Sequence, residues 1–489
     1  MNNNMSTIEK KKDELVSIIK MNQAIEWIRM LSTKLNPTFI LGIFIIYGLG
    51  QGFSGSLFRV VVDYYWKDVQ LLQPSSLQFY LSLFFIPWIL KPLWGILTDA
   101  FPIRGFHRRP YFIISGLIGT ISAFVLAFSP HLRVAPALVC FVGVSASLAI
   151  ADVTIDACIA RSSIVVREVA SDLQTLCGLC SSVGALVGFL LSGFFVHHLG
   201  PQRSLSLLAL SPAFTTVLGF VIYEHRTSGH HDEKKQVVER VGVTIRSMYQ
   251  TIMYPQVWKP SLYMFLSLAL NVSTHEGHFY WYTDSKAGPA FSQEFVGVIY
   301  AIGAVASIMG VIIYQKALKD YPFRKLLFYA QLLYALSGVV DLFFVLRWNL
   351  IIGIPDYFFV VIEETATRIT GKLRWMPMMV LSTQLCPLGI EGTFFALLMC
   401  IDSIGALLSK MGGGVLLRIL HITRTDFGNL WLAVLVRGML RFATLALIFL
   451  VPKAGQHEGL LPSQHLEENL SDDNTDEETL ELVPIKGGT

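Results

Sequence analysis

The sequence predicts an all-α membrane protein whose helices cross the bilayer many times. Of its 489 residues, 53% are hydrophobic and only 15% are charged, whereas soluble globular proteins carry about 25% charged residues. Apolar stretches recur along the whole chain, and roughly 20 such residues in a helix cross a hydrocarbon core of about 30 Å. No alternating barrel pattern accompanies them, and a helix satisfies its backbone groups within one segment. We therefore expect a polytopic helical protein.

The apolar stretches predict twelve transmembrane helices in two sets of six. The predicted domains are a cytoplasmic segment at 1–37, a six-helix bundle at 38–224, a cytoplasmic linker at 225–259, a second bundle at 260–452 and an acidic disordered tail at 453–489. Apolar residues spaced by three or four from Val238 to Ile252 predict an amphipathic helix within the linker. The predicted spans are 38–58, 76–98, 110–130, 134–159, 173–197, 203–224, 260–283, 293–316, 325–347, 356–382, 393–417 and 430–452.

Lysine and arginine in the short loops predict the orientation, because cytoplasmic loops carry an excess of both. This excess falls on the side of the N-terminus and the linker, whereas Arg59 and Lys67 fall on the opposite side. Both termini are therefore expected in the cytoplasm. The N-terminal segment lacks the apolar core of a signal peptide, and Glu9, Asp13 and Glu14 are atypical of a transit peptide. We expect a multi-pass protein of the plasma membrane or another cellular membrane, without clear plastid targeting.

A weak similarity between two parts of the sequence indicates two structural repeats. Gly95, near the end of helix 2, precedes Arg108 and Arg109, and Gly310, near the end of helix 8, precedes Arg324 and Lys325 at nearly the same spacing. Two six-helix halves related in this way are typical of transporters that bind their solute between the halves. A chance match is the alternative.

Gly50-x-Gly52-x-x-Gly55 matches a dinucleotide-binding fingerprint, but no strand precedes it. Inside an apolar helix, these glycines favour close helix contact or a bend instead.

The pairs Cys177–Cys180 and His230–His231 are the motifs closest to a metal or redox site. The cysteines lie within an apolar helix and have no partner pair, and the histidines lie in a polar loop. Packed small side chains and a solvated loop explain them better. We expect neither a cofactor nor a metal site.

The end of helix 2 is expected to carry a conformational gate. Gly95 permits tight packing, and Asp99 lies where the helix meets the cytoplasm, with Arg108 and Arg109 just beyond. A carboxylate that faces a guanidinium at this rim can hold one conformation of a carrier and release it in another. The alternative is an ordinary basic cytoplasmic loop.

Lys91, Asp152 and Asp156 are charged residues within predicted spans of the first half. A charge at that depth is costly unless it is paired or faces water, so it is functional by default. Asp152 and Asp156 are four residues apart and share a helix face, where two carboxylates repel each other. One of them is expected to hold a proton near neutral pH. We predict a Lys91–Asp152 pair; a purely structural ion pair is the alternative.

The second half carries buried charge on its predicted helices 7, 10 and 11, for which we predict substrate binding or proton coupling. Arg368 is expected close to the membrane midplane. Lys372 and Arg374 are expected to snorkel toward the inner surface. A misplaced helix 10 is the alternative explanation of its charges. The candidate residues are Glu276, Glu363, Arg368 and Asp402.

Three stretches carry a resemblance to a known family: PWILKPLWGILTDAFPIRGFHRRPY, the Asp152–Ala157 segment, and the region from Trp375 to Arg441, which includes WMPMMVLSTQLCPLGIEGTFFALLMCIDS. Over about 35–452 the chain resembles the folate–biopterin transporter family, a branch of the major facilitator group, and its plant members in particular. Lys372 and Arg374 depart from the pattern, since relatives more usually have uncharged residues there.

The resemblance implies a major-facilitator-type fold, uptake of folates or pterins, and proton coupling. The matching motifs carry over a set of functional residues: Lys91, Gly95, Asp99, Arg108, Arg109, Asp152, Asp156, Glu391 and Asp402. Of these, Glu391 is expected to belong to the conformational gate, with Gly95, Asp99, Arg108 and Arg109.

These observations predict a secondary active transporter of folate- or pterin-type solutes that works by alternating access and is coupled to protons. The alternatives are a carrier of another organic ion, such as S-adenosylmethionine, and a non-transporting receptor or membrane enzyme. No nucleophile–base set, metal cluster or Walker A motif is evident in the sequence. We expect no enzyme activity, a monomer in the lipid bilayer, a small-molecule substrate and no nucleic-acid partner.

Overall fold

The computed structural model describes residues 26–129, 132–165, 170–224, 226, 242, 245–246, 248–386 and 391–456. Helical structure occupies each of the twelve predicted positions, and we keep their numbers. The first half contains helix 1 (Pro37–Val69), helix 2 (Pro74–Leu83, Ile86–Ile89 and Lys91–Ala100), helix 3 (Arg109–Phe128), helix 4 (Val134–Val165), helix 5 (Ala170–Leu199) and helix 6 (Pro201–Val221). The second half contains helix 7 (Pro255–Ala269 and His275–Tyr282), helix 8 (Gln293–Leu318), helix 9 (Phe323–Val345), helix 10 (Asp356–Gln384), helix 11 (Glu391–Ile419) and helix 12 (Leu430–Leu450).

Ten of these helices are long and apolar enough to cross a membrane by length and composition, among the residues that the structure describes. The other two are helices 7 and 10. Helix 7 is interrupted at 270–274, and helix 10, although it is 29 residues long, carries six charged side chains. The twelve-span count and the cytoplasmic termini stay predictions. Of the predicted linker helix, residues 242, 245–246 and 248–252 are described and helical. The rest of that helix and most of the acidic tail lie outside the described residues.

Helix 1 is longer than predicted, and this corrects the position of Arg59 and Lys67. The sequence prediction ended the helix at 58 because charged residues follow, but the helix continues to Val69. It contains two π-helical segments: Phe44–Ser54 lies between its two α-helical parts, and Tyr65–Val69 forms its end. Charged side chains are tolerated here because the chain buries them among other helices rather than in lipid. Asp63, for example, is only 2% exposed.

The glycines of helix 1 allow helix 5 to approach it at backbone distance. A Cβ atom at Gly52 would lie 2.7 Å from the carbonyl oxygen of Ser181, and one at Gly184 would lie 2.1 Å from that of Gly48. Side chains larger than hydrogen do not fit at such separations. The interpretation of the G-x-G-x-x-G motif as a helix contact is confirmed.

The two halves use an equivalent arginine contact at the start of their third helices. Arg109 donates from Nε to the Gly219 carbonyl at 3.2 Å and from Nη2 to the Phe220 carbonyl at 2.5 Å, both on helix 6. Arg324 donates to the carbonyls of Val451 and Phe449 at 2.7 and 3.0 Å, at the end of helix 12. The match supports the predicted two-repeat plan.

Glu224 caps helix 3, because its carboxylate accepts backbone N–H groups from three successive residues that precede or begin the helix. The donors are His107 and Arg108 to Oε1, at 2.7 and 2.9 Å, and Arg109 to Oε2, at 2.9 Å. The first N–H groups of a helix lack intrahelical partners, and a carboxylate there also opposes the positive end of the helix dipole. Glu224 therefore fixes the chain after helix 6 against the start of helix 3.

The segment after helix 12 folds back beneath helices 8, 9 and 10. Gln456 is buried, and its amide donates to the carbonyls of Leu318 and Tyr321 at 3.1 and 2.8 Å. Its Oε1 accepts from the Tyr314 hydroxyl at 2.5 Å. The backbone from the end of helix 12 to Gln456 is thus part of the folded second half.

The hydrophobic core that joins the two halves lies toward one face of the bundle. We call the face with the ends at Pro37, Val221 and Pro255 the linker face, and the face with the ends at Val69, Tyr282 and Ile419 the opposite face. At the opposite face, Lys67 donates to the Thr283 hydroxyl. There, too, one hydrophobic core joins the two halves, from Leu57 on helix 1 to Leu430 on helix 12. On the linker face, separate cores belong to each half among the described residues.

Candidate functional site: a charged cavity

A cavity of about 520 Å³ lies mostly within the second half and reaches the first half at Arg59 and Phe85. Its volume is within the range of about 300–1,000 Å³ that is usual for small-molecule sites. Its lining comes mainly from helices 7 to 12, with Arg59 of helix 1 and Phe85 of helix 2. The break in helix 7 faces it, since Asn271 to Thr274 line the wall. Interrupted helices near the centre of a carrier commonly bind solutes, because their free backbone groups point into the site.

The cavity wall is positively charged. Six cations and three carboxylates line it, so with neutral histidines the lining carries three net positive charges. The cations are Arg59, Arg368, Lys372, Lys410, Arg437 and Arg441, and the carboxylates are Asp341, Glu363 and Glu364.

Three of the cations are held by partners on the wall. Arg437 pairs with Asp341, whose other oxygen lies 3.1 Å from Nε2 of His278. Arg368 donates from Nε to Oε1 of Glu364 at 2.7 Å, one helical turn away. Arg441 donates from Nε to Asn271 at 2.9 Å.

Arg59, Lys372 and Lys410 have no carboxylate within hydrogen-bonding distance among the described residues. Arg59 lies over the ring of Tyr300, with its Cζ 5.3 Å from the ring centre. The Lys372 ammonium lies 4.5 Å from the centre of a Trp375 ring. Cation–π contacts leave the hydrogen-bond donors of a cation available. These three side chains are the groups best placed to bind an anion.

Aromatic rings form much of the rest of the wall. They include Phe85, Phe279, Tyr282, Tyr300, Tyr334 and Trp375. Flat faces of this kind stack on planar heterocycles. A planar solute with an anionic group therefore suits the cavity.

The structure separates the predicted site residues into those at the cavity and those elsewhere. Glu363 and Arg368 line the wall. Glu276 lies just behind it, fully buried, with Oε1 3.1 Å from Nδ1 of His275. Asp402 is not on the lining, although its Oδ1 is buried without a hydrogen-bond partner among the described residues. The roles of all four stay predictions.

The predicted Lys91–Asp152 pair is confirmed as a contact. The Lys91 ammonium meets Oδ2 of Asp152, and Gln51 donates to Oδ1 of the same carboxylate. The Tyr47 hydroxyl donates to Asp156. This cluster lies inside the first half and does not line the cavity. Its part in transport remains a prediction.

The predicted gate is only partly visible. Arg108 donates from Nη1 to the Thr98 hydroxyl at 2.8 Å, and Arg109 binds helix 6 within the same half. The side chains of Asp99 and Glu391 lie outside the described residues, so the latch stays a prediction. A Cβ atom at Gly95 would make only an ordinary contact with Val153, at 3.8 Å. The expectation that Gly95 permits tight packing is therefore wrong in this conformation.

Helix 10 corrects two further expectations. It is continuous, and four of its six charged residues line the cavity, namely Glu363, Glu364, Arg368 and Lys372. Its position in the membrane stays a prediction. Arg374 does not snorkel: it is 6% exposed and donates from Nη1 to Ser267 and Gln331 at 3.3 Å. Lys372 lines the cavity instead of reaching the inner surface.

Several residues of the cavity were not predicted from the sequence. Arg59 was assigned to a loop, and Asp341, Lys410, Arg437 and Arg441 were not singled out. Each is a charged residue in a mostly apolar stretch, which is the signal that could have found them. Arg437 and Arg441 are also four residues apart and so share a helix face.

Comparison with known proteins identifies the family. Residues 51–464 match the BT1 family. Probable folate-biopterin transporter 6 of Arabidopsis thaliana is 57% identical, over 94% of this chain and 92% of the relative. The folate-biopterin transporter of Synechocystis sp. is 31% identical, over 84% of this chain and 81% of the relative.

Solved structures of other transporters share the fold. The nucleoside transporter NupG matches with a TM-score of 0.59 at 15% identity, covering 84% of this chain and 98% of its own. A D-xylose-proton symporter matches with a TM-score of 0.61 at 12% identity, covering 85% and 98%. The fold is of the major facilitator type, and the relatives are transporters and not enzymes. The chain belongs to the BT1 family, together with these plant and cyanobacterial folate–biopterin transporters.

Proposed function

We propose that the protein is a secondary active carrier of folate- or pterin-type solutes, coupled to protons and working by alternating access. The names of its relatives support the solute class. The single observation that carries the proposal is a cavity that combines aromatic rings with cations that have no carboxylate within hydrogen-bonding distance among the described residues.

The charge of the cavity favours an anionic solute within this class. The lining carries three net positive charges, and Asp63 and Glu276 behind the wall offset two of them. The remaining positive charge attracts carboxylates and repels cations. A folate carries a glutamate tail, whereas biopterin carries no carboxylate. S-adenosylmethionine carries a positive sulfonium centre, so the cavity charge disfavours this alternative. We propose folates as the better substrates.

The glutamate tail is proposed to bind between helices 1, 10 and 11. Nε of Arg368 is already occupied by Glu364, which supports the competing idea that Arg368 mainly neutralises its neighbour. Lys372, one turn further along helix 10, and Arg59 and Lys410 across the cavity have no such carboxylate among the described residues. Glu363 is proposed to accept the amino edge of the pterin ring, since a carboxylate can accept two parallel hydrogen bonds.

The test is uptake into proteoliposomes of labelled folate, biopterin and S-adenosylmethionine, with and without a pH gradient. Lys372→Ala should weaken folate uptake far more than biopterin uptake, because only folate loses a charge-assisted contact. Such a contact is worth roughly 1.5–3 kcal/mol, or about ten- to a hundredfold in affinity.

Lys316→Ala is the matched control, because Lys316 is an exposed lysine at the linker-face end of helix 8 and should leave uptake of both solutes unchanged. If Lys372→Ala lowers folate and biopterin uptake equally, the lysine does not recognise the tail. If wild-type protein transports none of the panel, the proposed solute class is wrong.

A further inference from the structure

A buried acidic cluster joins the two halves between the cavity and the opposite face. Asp63 of helix 1 and Glu276 of helix 7 are 2% and 0% exposed. Nδ1 of His275 lies 3.1 Å from Oε1 of Glu276 and 4.0 Å from Oδ2 of Asp63. Nε2 of the same histidine lies 2.9 Å from the hydroxyl of Tyr300. One residue of the cluster therefore belongs to the first half and the others to the second.

Two carboxylate oxygens of the cluster lack hydrogen-bond partners. Oδ2 of Asp63 and Oε2 of Glu276 are fully buried and accept no hydrogen bond within the described part of the chain. A buried charged oxygen without a donor is costly, and such groups call for a missing ligand or proton. A proton on either acid would remove its charge and turn one of its oxygens into an O–H donor.

Two cations face these acids, and both also line the cavity. Arg59 and Lys410 interact electrostatically with Asp63, and Lys410 does so with Glu276 as well. The other titratable groups that face the acids are Tyr64, Tyr280, His275 and Tyr300. Gln78 of helix 2 contributes its Oε1, which accepts the backbone N–H of Glu276 at 3.3 Å.

With both acids ionised and the histidine neutral, the two anions balance the two cations. This balance also disfavours a metal ion as the occupant, because Arg59 and Lys410 already supply two positive charges beside the acids.

We propose that Asp63 and Glu276, with His275 between them, form a proton-binding site between the two halves, and that an anionic solute bound at Arg59 and Lys410 drives a proton onto it. The inference rests on the proposed carriage of an anionic solute. It places coupling at this interface and not at Asp152 or Asp156, which lie within one half.

The coupling follows from shared counterions. When a solute carboxylate draws Arg59 and Lys410 toward the cavity, two buried anions remain with less compensating charge. One proton taken from water then restores the balance on one of the two carboxylates, and it returns to water when the solute leaves and the cations turn back. Proton and anion therefore favour each other's binding, and the effect is reciprocal.

The interface position links this exchange to conformational change. Separation of the halves at the opposite face would carry Asp63 on helix 1 away from His275 and Glu276 on helix 7. Ionised acids parted from their partners would then face water, where a proton can enter or leave. The same cluster thus senses both the solute and the state of the opposite face.

The experiment measures proton uptake when folate is added to purified protein in weakly buffered detergent solution with a pH indicator. Wild-type protein should take up about one proton per folate bound, the value that one coupled site requires. Asp63→Asn and Glu276→Gln should take up much less. In proteoliposomes the same variants should lose accumulation of folate against its gradient but retain folate counterflow, which needs no net proton movement and shows that they are folded.

Glu294→Gln is the matched control, because Glu294 is a carboxylate that also bridges the halves, 3.1 Å from His197, but in an exposed position. It should keep both proton uptake and accumulation. Absence of proton uptake by wild-type protein that binds folate, or loss of it in Asp156→Asn but in neither cluster variant, overturns the proposal. So does accumulation that follows a sodium or divalent-ion gradient. A wild-type protein that neither binds nor transports folate would instead count against the proposed function.

Discussion

Removing Lys91 should leave Asp152 as a buried carboxylate without its cation. Asp152 is 4% exposed, and its two oxygens are divided between Lys91 and the amide of Gln51. After Lys91→Ala only the neutral Gln51 donor remains. Breaking a buried ion pair by removing one partner costs about 3–5 kcal/mol, because the other charge stays buried. We expect a loss near the lower end, since Gln51 still satisfies one oxygen.

The second substitution tests this explanation. In Lys91→Ala/Asp152→Asn no charge is left behind, and the remaining loss should be about 0.5–1.5 kcal/mol, as for one neutral hydrogen bond. The double variant should therefore be more stable than Lys91→Ala alone. Equilibrium unfolding in mixed detergent micelles measures the free energies of unfolding of Lys91→Ala, Asp152→Asn, the double variant and the wild type. A double variant less stable than either single one would refute the reasoning.

Two further predictions concern the cap of helix 3 and the membrane topology. Glu224→Gln should lower the free energy of unfolding by about 1–2 kcal/mol, because a charged cap of helix 3 becomes neutral. Hydrogen exchange at the Arg109 backbone amide should become faster. Unchanged exchange there would contradict the role of Glu224 as a cap. The predicted topology places single cysteines that replace His230 and Asp473 on the cytoplasmic side, and one that replaces Lys286 on the other side. Labelling with a membrane-impermeant thiol reagent checks this. The same accessibility at positions 230 and 286 would contradict twelve spans.

Much of the fold was predictable because the bilayer imposes one length and one composition on most helices. The ends of helices 3, 8 and 12 lie within a few residues of the predicted ones. Helix 1 was cut short at Arg59, since a charge in lipid is unfavourable. The same charge is favourable when it faces a cavity, and a single sequence does not tell which neighbour covers it. The end of helix 1 therefore depends on its packing against helices that are distant in the chain.

The candidate site was predicted less well, for a related reason. The Lys91–Asp152 pair could be inferred because both residues are single charges in apolar helices at similar depth. The cavity, however, lies mostly in the second half, and its wall joins helices that are far apart in the chain. Asp63 meets Glu276 only because the halves pack together at the opposite face. Residue depth was accessible from the sequence, but the rotation of each helix about its own axis was not.

The docking of Gln456 determines where the chain can be cut or fused to a reporter. The side-chain amide of Gln456 donates to the carbonyls of Leu318, at the end of helix 8, and Tyr321, just before helix 9. Without Gln456 these two carbonyls lose this donor. A chain truncated at the last apolar residue of helix 12 would lack Gln456 and these hydrogen bonds. Its yield would fall because the second half is less stable, whatever its transport activity. A fluorescent tag or an affinity handle attached after Gln456 leaves this junction intact.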